Sequence, residues 1–377
     1  MQSSNIRYLP QVDHWRAVAA IWIVLYHGLH VVGGLLTSHS ALDTYFVSSN
    51  PVMASLIEGH SAVSLFMVLS GFIFTYGAFG RSVSYVPFLK NRVLRIYPLF
   101  LVTVFIAMAS NPGKVSLDKF LFTILPLADY SQLDAGPFVS MAWAVAVEFQ
   151  FYLIFPFLLG FLNRSPAKVI CGVIACALIF RLMSVELGAS ARDLSYWHIV
   201  GRIDQFMLGM AAAVFLKQGR RRTSHYRVLL LVGILLGMAT LFWFHRLGGR
   251  SADGIWRVFW PTMEGGAYAF LIVGSVGAGT LATGAVSRCL GWLGERSFSI
   301  YLLHMPIIQI LVQKQWVLKA TGDTALDAMI TTSVLALPIT VGLAALTYSV
   351  IESPFLALRV KYLSDTSTAK VRAIGSA

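Results

Sequence analysis

Apolar runs long enough to cross a bilayer alternate along this chain with short polar breaks. A spanning helix takes about 20 mainly apolar residues. Ten stretches approach that length: 14–34, 60–80, 93–110, 138–160, 167–185, 200–216, 227–245, 262–283, 297–316 and 328–351. Of these, 200–216 is short and 262–283 is rich in glycine. The stretch 115–130 is apolar but interrupted by Asp118, Lys119 and Pro126, which predicts a re-entrant or interfacial piece. The pattern predicts an all-α, polytopic membrane helix bundle with about ten transmembrane helices over residues 1–356. A polar cytoplasmic tail follows over 357–377. No internal repeat or low-complexity segment interrupts it.

Composition agrees with lipid as the solvent. The chain has 377 residues, 57% hydrophobic and 12% charged, with mean hydropathy +0.71. Soluble domains carry about 25% charged residues. The net charge of +12 would suggest nucleic acid in a soluble protein. Here Lys and Arg orient helices instead, and no nucleic-acid partner is expected. With ten spans both termini share a side, and 19 of the 29 Lys and Arg fall there, among them Arg7, Arg220, Arg221, Lys370 and Arg372. Acidic residues such as Asp43, Glu58, Asp129 and Asp253 fall opposite. The richer side is the cytoplasm by the positive-inside rule. The run "KQGRRR" at 217–222 then faces anionic lipid. No cleavage site follows the polar N-terminus, so the first apolar segment is expected to stay as an anchor. Cys171, Cys176 and Cys289 have neither disulfide nor zinc spacing.

Ionisable residues inside such segments are functional candidates, because lipid makes them costly. In "VDHWRAVAAIWIVLYH" (12–27), Arg16 and His27 are eleven residues apart, almost three helical turns, so both lie on one stripe with Asp13. His27 stands about 16 Å deeper than Arg16. Glu148 is mid-span in "MAWAVAVEFQFYLIFP", with Tyr152 four residues on along the same face and Trp143 pointing elsewhere. Ser297, Tyr301 and His304 share a face of "SFSIYLLHMP". Lys90, Arg92 and Arg95 cluster where the third span begins, and arginine forks suit phosphate. Each group also has a plain structural role open to it: a helix-end ion pair, interhelical hydrogen bonding, or a positive-inside signal. Spacing does not favour a metal site, since no H-x-x-x-H or E-x-x-H pair occurs among these residues. "VLSGF" (68–72) lacks a hydrolase elbow. From the residues alone, an enzyme with a histidine base and a phosphate-rich donor competes with a transporter using a His/Glu relay.

Seven motifs in order resemble the acyltransferase-3 family of membrane proteins: "VDHWRAVAAIWIVLYH" (12–27), "SLFMVLSGFIFT" (64–75), "RVLRIYP" (92–98), "WAVAVEFQFY" (143–152), "GRIDQFMLG" (201–209), "LGERSFSIYLLHMP" (293–306) and "IESPF" (351–355). The resemblance covers nearly the whole chain. It implies an inner-membrane, multi-pass O-acyltransferase with both termini cytoplasmic. The donor would be acetyl-CoA or another short acyl-CoA, and the acceptor a glycan or glycolipid. The family's first-helix Arg and His fall on Arg16 and His27, its RxxR pair on Arg92 and Arg95, and its fourth-helix Glu on Glu148. The resemblance then implies His27 as general base or transient acyl carrier, with Glu148 orienting it. Arg92 and Arg95, with Lys90 and Arg16, would hold the donor. Asp13, Tyr152, Trp143, Tyr301 and His304 are expected in support. His14 and Trp15 replace the family's usual residues beside Asp13, and Ala62 stands where the family commonly has Gly. Some family members carry an added hydrolase-like domain; these 377 residues hold none, so direct delivery to the acceptor is expected. The alternative remains a transporter of a small anion or lipid-linked sugar.

Overall fold

The computed structural model describes residue 5 and residues 8–38, 46–219, 222–279 and 282–365. Arg7, Asp43, Arg220, Arg221, Lys370 and Arg372, and the tail beyond residue 365, lie outside the described residues. In chain order the helices are α1 (Pro10–Thr37), α2 (Pro51–Ile57), α3 (Ala62–Ala78), α4 (Tyr85–Ser110), α5 (Leu117–Ile124), α6 (Ala142–Leu162), α7 (Pro166–Glu186), α8 (Ala191–Trp197), α9 (Ile199–Gln218), α10 (Thr223–Arg246), α11 (Trp260–Ala278), α12 (Gly284–Glu295), α13 (Ser297–Gln313), α14 (Thr324–Thr331), α15 (Leu337–Thr347) and α16 (Ser353–Ala357). Two short strands, β1 (Arg81–Val83) and β2 (Leu363–Asp365), pair antiparallel with Ser82 opposite Ser364.

All ten predicted spans are helical. Eight helical stretches are long and apolar enough to cross a membrane, and α14 to α16 form one of them, Thr324–Ala357. The two predicted spans outside that set are α13, which has 17 residues, and α11, where Pro261, Glu264 and a glycine pair dilute the apolar run. The stretch 115–130 holds only the eight-residue α5, because Pro126 and Asp129 stop further helix. Several starts follow local chemistry. Asn50 accepts from Val52 N at 2.9 Å and Met53 N at 3.3 Å to cap α2. Proline opens α1, α2 and α7, where its missing N–H costs nothing.

The core lies where α1, α3, α6 and α9 meet. Alpha-helices 4, 7 and 10 turn apolar side chains such as Phe105, Phe180 and Leu235 outward, as lipid-facing helices do. Lipid supplies no hydrophobic drive between helices, so close backbone approach takes its place. A Cβ on Gly71 would lie 2.1 Å from the Phe206 carbonyl oxygen, and one on Gly209 would lie 2.1 Å from the Val68 oxygen. These two glycines let α3 and α9 touch backbone to backbone. Buried polar pairs fix the register. Arg181 Nη2 donates to Asp204 at 2.8 Å, with both side chains fully buried. Arg202 Nη1 donates to Ser64 at 2.9 Å, and Ser64 in turn donates to Glu264 at 2.8 Å. The motif "GRIDQFMLG" is thereby accounted for as scaffold. The two ends of the described chain meet at one end of the bundle. Asn5 Nδ2 donates to Val360 O at 3.1 Å, and Asn91 Nδ2 donates to the same oxygen at 2.7 Å.

Candidate functional site: an arginine-lined cavity and a histidine pair

A cavity of about 660 Å³ runs into the bundle between α1, α3, α4, α6, α12 and α13. Arg288 and Arg359 line it beside Tyr8 and Tyr362, toward the end of the bundle where the two ends of the described chain meet. Arg16, Arg92 and Arg95 follow, and Ser70, Glu148, Tyr152 and Tyr301 lie further in. Of the sequence-predicted residues, Asp13, Arg16, Arg92, Arg95, Glu148, Tyr152 and Tyr301 are therefore brought together on one wall system. Lys90 is exposed on α4 and is not a lining residue. Trp143 also lies outside the cavity, its ring 5.2 Å from Tyr196 and 4.9 Å from Trp197.

The two arginines of the RxxR pair differ in their partners. Arg95 Nη1 donates to Glu352 at 3.0 Å, and Nη2 donates to the Glu295 carbonyl at 3.0 Å. Glu352 is fully buried and also accepts from Ser299. Arg92 has no carboxylate partner among the described residues. Its guanidinium lies over the Phe74 ring, 4.7 Å from the centroid, and its Nε is buried without a hydrogen bond. Such stacking orients the flat fork and leaves donors for a planar oxyanion. Positive charge is crowded here. Burial, and then the like charges of Arg92 and Arg95, push Arg359 below its ordinary value. Arg16 is half engaged: it donates to Asp13 at 3.2 Å and remains partly exposed.

Deeper in, Glu148 Oε1 accepts from Ser70 at 2.8 Å and from Tyr152. Two hydroxyl donors offset part of the cost of a carboxylate at this depth. The Tyr301 hydroxyl is buried and has no partner among the described residues. The structure departs here from the arrangement expected of Glu148. It makes no hydrogen bond to His27, whose Nδ1 instead lies 2.9 Å from His304 Nε2. Neither histidine is a lining residue. The pair lies about one helical turn beyond Tyr301, and His27 keeps partial exposure there while His304 is fully buried.

Several polar residues escaped the reading of the sequence. Glu352 stands in the quoted "IESPF", and Ser70 in "VLSGF", but nothing in their spacing assigns them partners. Tyr348–Glu352 forms a π-helical turn, and a second occurs at Thr332–Ala336; such turns cluster at functional sites. On the far side of the pair from the cavity, Glu58 accepts from His245 Nδ1 at 2.9 Å and lies 3.2 Å from His60 Nε2. Burial raises the Glu58 carboxyl, but these two histidines outweigh it and hold it down to about 2.

Eight helical stretches long and apolar enough to cross a membrane, around an arginine-lined internal cavity, define a multi-pass membrane protein. More specifically, the chain belongs to the acyltransferase family whose model, described as "Acyltransferase domain", matches residues 9–349. It is 27% identical over 341 residues to "Acyltransferase MdmB" of Streptomyces mycarofaciens, covering 80% of this chain and 81% of that one. It is 26% identical to "O-acetyltransferase OatA" of Staphylococcus aureus, covering 80% of this chain and 51% of that one. It is 26% identical to "Exopolysaccharide production protein ExoZ" of Rhizobium meliloti, covering 79% and 90%. No solved structure matches the chain.

Proposed function

We propose that this protein is a membrane O-acyltransferase that moves an acetyl or other short acyl group from acyl-CoA to a sugar hydroxyl of a surface or secreted glycan. The observation that carries the reading is the order of groups along one cavity. Arginines stand at its outer part, a carboxylate with hydroxyls lies inside, and a histidine pair lies beyond. Arg92 would bind the donor's phosphates with its stacked fork, and Arg16 and Arg359 would add charge. The mouth is cytoplasmic in this reading, since it lies at the arginine-rich end of the helices. The neutral acyl-pantetheine arm then extends inward toward Tyr301, whose unpartnered hydroxyl would donate to the thioester carbonyl as negative charge develops there.

The acceptor hydroxyl gives its proton to His27 Nε2 as its oxygen attacks the acyl carbon. The C–S bond breaks, and the departing thiolate takes the proton back from His27. An imidazole suits both transfers near neutral pH. The test is acyl transfer from labelled acetyl-CoA in membranes holding wild type or His27→Ala at matched protein levels, with free thiol measured in parallel. Thiol release and ester label that both need His27 are expected. Equal label in the two would remove His27 from catalysis. Movement of an anion or a lipid-linked sugar without thiol release would point to transport instead.

A further inference from the structure

We infer that His304 is the positioning residue of His27: it fixes the tautomer that leaves His27 Nε2 free as the base. The inference rests on the acyl-transfer reading above. The chain of bonds starts at a backbone carbonyl. His304 Nδ1 lies 2.7 Å from Tyr301 O, and a carbonyl oxygen only accepts, so His304 carries its proton on Nδ1. Its Nε2 then holds a lone pair, and His27 Nδ1 faces that lone pair at 2.9 Å. The proton in this second bond must come from His27 Nδ1. Neutral His27 therefore keeps its own lone pair on Nε2, and no hydrogen bond within the described residues occupies that nitrogen.

The logic is that of a catalytic triad in which the third member sets tautomer and orientation. Here a neutral imidazole backed by a carbonyl takes the carboxylate's place. Burial explains the substitution. His304 is 0% exposed, and an ionised carboxylate there would need a compensating charge in the middle of the bundle. A neutral relay holds the same tautomer without one. When His27 Nε2 accepts the hydroxyl proton, its Nδ1–H still donates to His304, which spreads the positive charge.

Packing holds both ends of the relay. On α13, Tyr301 and His304 are one turn apart, so the same turn lines the inner cavity and carries the accepting carbonyl. On α1, a Cβ at Gly28 would lie 2.1 Å from Thr332 Oγ1. Thr332 opens a π-helical turn, so the backbone beside His27 is pressed onto a fixed element.

The test uses the full chain in membranes with acetyl-CoA as donor. It compares wild type, His27→Ala, His304→Phe and His304→Gln for kcat, for KM and for donor binding. His304→Phe keeps ring volume but removes the acceptor. Its kcat is expected to fall on the order of 10²-fold or more, with KM and binding of acetyl-CoA unchanged. His304→Gln places an amide oxygen near the lost nitrogen and is expected to recover about tenfold over phenylalanine, a partial return of the acceptor. Wild-type kcat in His304→Phe, with His27→Ala inactive, would overturn the positioning role and leave the base in place. Equal loss in the Phe and Gln variants at unchanged donor binding would overturn it too. Wild-type transfer by His27→Ala would instead refute the underlying reading. Should His304→Phe fail to accumulate, His304→Met against His304→Gln decides the same point.

Discussion

Replacing Arg92 by glutamine and Arg95 by glutamine should produce two different defects, although the residues are three apart in one motif. Arg92 has a buried, unpartnered Nε and lies over Phe74. Its removal breaks no ion pair. If it binds a donor phosphate, it contributes a charge-assisted hydrogen bond of about 1.5–3 kcal/mol. That is about a 10- to 150-fold rise in donor Kd. Arg95 is already engaged, with Glu352 at 3.0 Å and the Glu295 carbonyl at 3.0 Å. Its removal leaves a fully buried carboxylate with Ser299 as its remaining hydrogen-bond partner among the described residues. Breaking a buried pair from one side costs about 3–5 kcal/mol. Arg95 is 23% exposed, which places the loss toward the lower end.

The assay is paired. Binding of acetyl-CoA to the detergent-purified chain is measured by calorimetry at low and moderate salt, and thermal unfolding is followed on the same samples. Arg92→Gln is expected to bind weakly and melt near the wild type. Arg95→Gln is expected to melt several degrees lower. Arg92→Lys keeps charge but loses the fork and stacking, so it should fall between wild type and Arg92→Gln in affinity. An Arg92→Gln protein with unchanged donor affinity at low salt would refute the assignment. So would equal melting of both glutamine variants, because it would mean that the Arg95–Glu352 pair does not support the fold.

Two further outcomes follow from the scaffold. Gly71→Val should lower the yield of folded protein, by about 1–3 kcal/mol or more, since even its Cβ would meet the Phe206 oxygen at 2.1 Å; size-exclusion of a fluorescent fusion reads this, and a wild-type profile would contradict the close approach of α3 and α9. Glu58 sits at about 2 in the fold against an ordinary 4.5, so its stabilising contribution is whole above about pH 4.5 and is lost as pH falls toward 2. The melting gap between wild type and Glu58→Gln should accordingly be full at pH 6 to 7 and shrink below pH 4.5, and a gap that widens on acidification would reverse the sign.

What was legible in the sequence was whatever one helix determines by itself. The ten apolar runs are all helical, and the Asp13–Arg16 pair and the Tyr152–Glu148 contact both join residues on a single helix face. Partners across helices were not legible. Arg95 meets a glutamate 257 residues away, and His27 meets a histidine 277 residues away. Spacing along a helix says which residues share a face but not which face another helix presents. That is why Glu148 seemed the natural partner for His27 and why Glu352 had no assigned role. The same limit applies to Trp143, where an aromatic beside a glutamate in sequence packs on Tyr196 and Trp197 in space.

The polar groups change character with depth, and the physics of burial gives the reason. At the outer cavity, fixed positive charges crowd together, and burial, then the charges of Arg92 and Arg95, push Arg359 below its ordinary value. Water can enter there and screen them. Further in, a single carboxylate survives with two hydroxyl donors on it. At the histidine pair itself, two imidazoles and a carbonyl bond to one another with no formal charge needed, and the next charge on that side is Arg250, which donates to Tyr26 of α1 at 3.3 Å. A donor that is highly charged at one end and neutral at its reactive end matches this gradient in the same direction. A transported anion would instead have to carry its charge past the uncharged histidine pair. Under the acyl-transfer reading the charge stays at the mouth, and only a thioester, a hydroxyl and one proton need to reach the histidines.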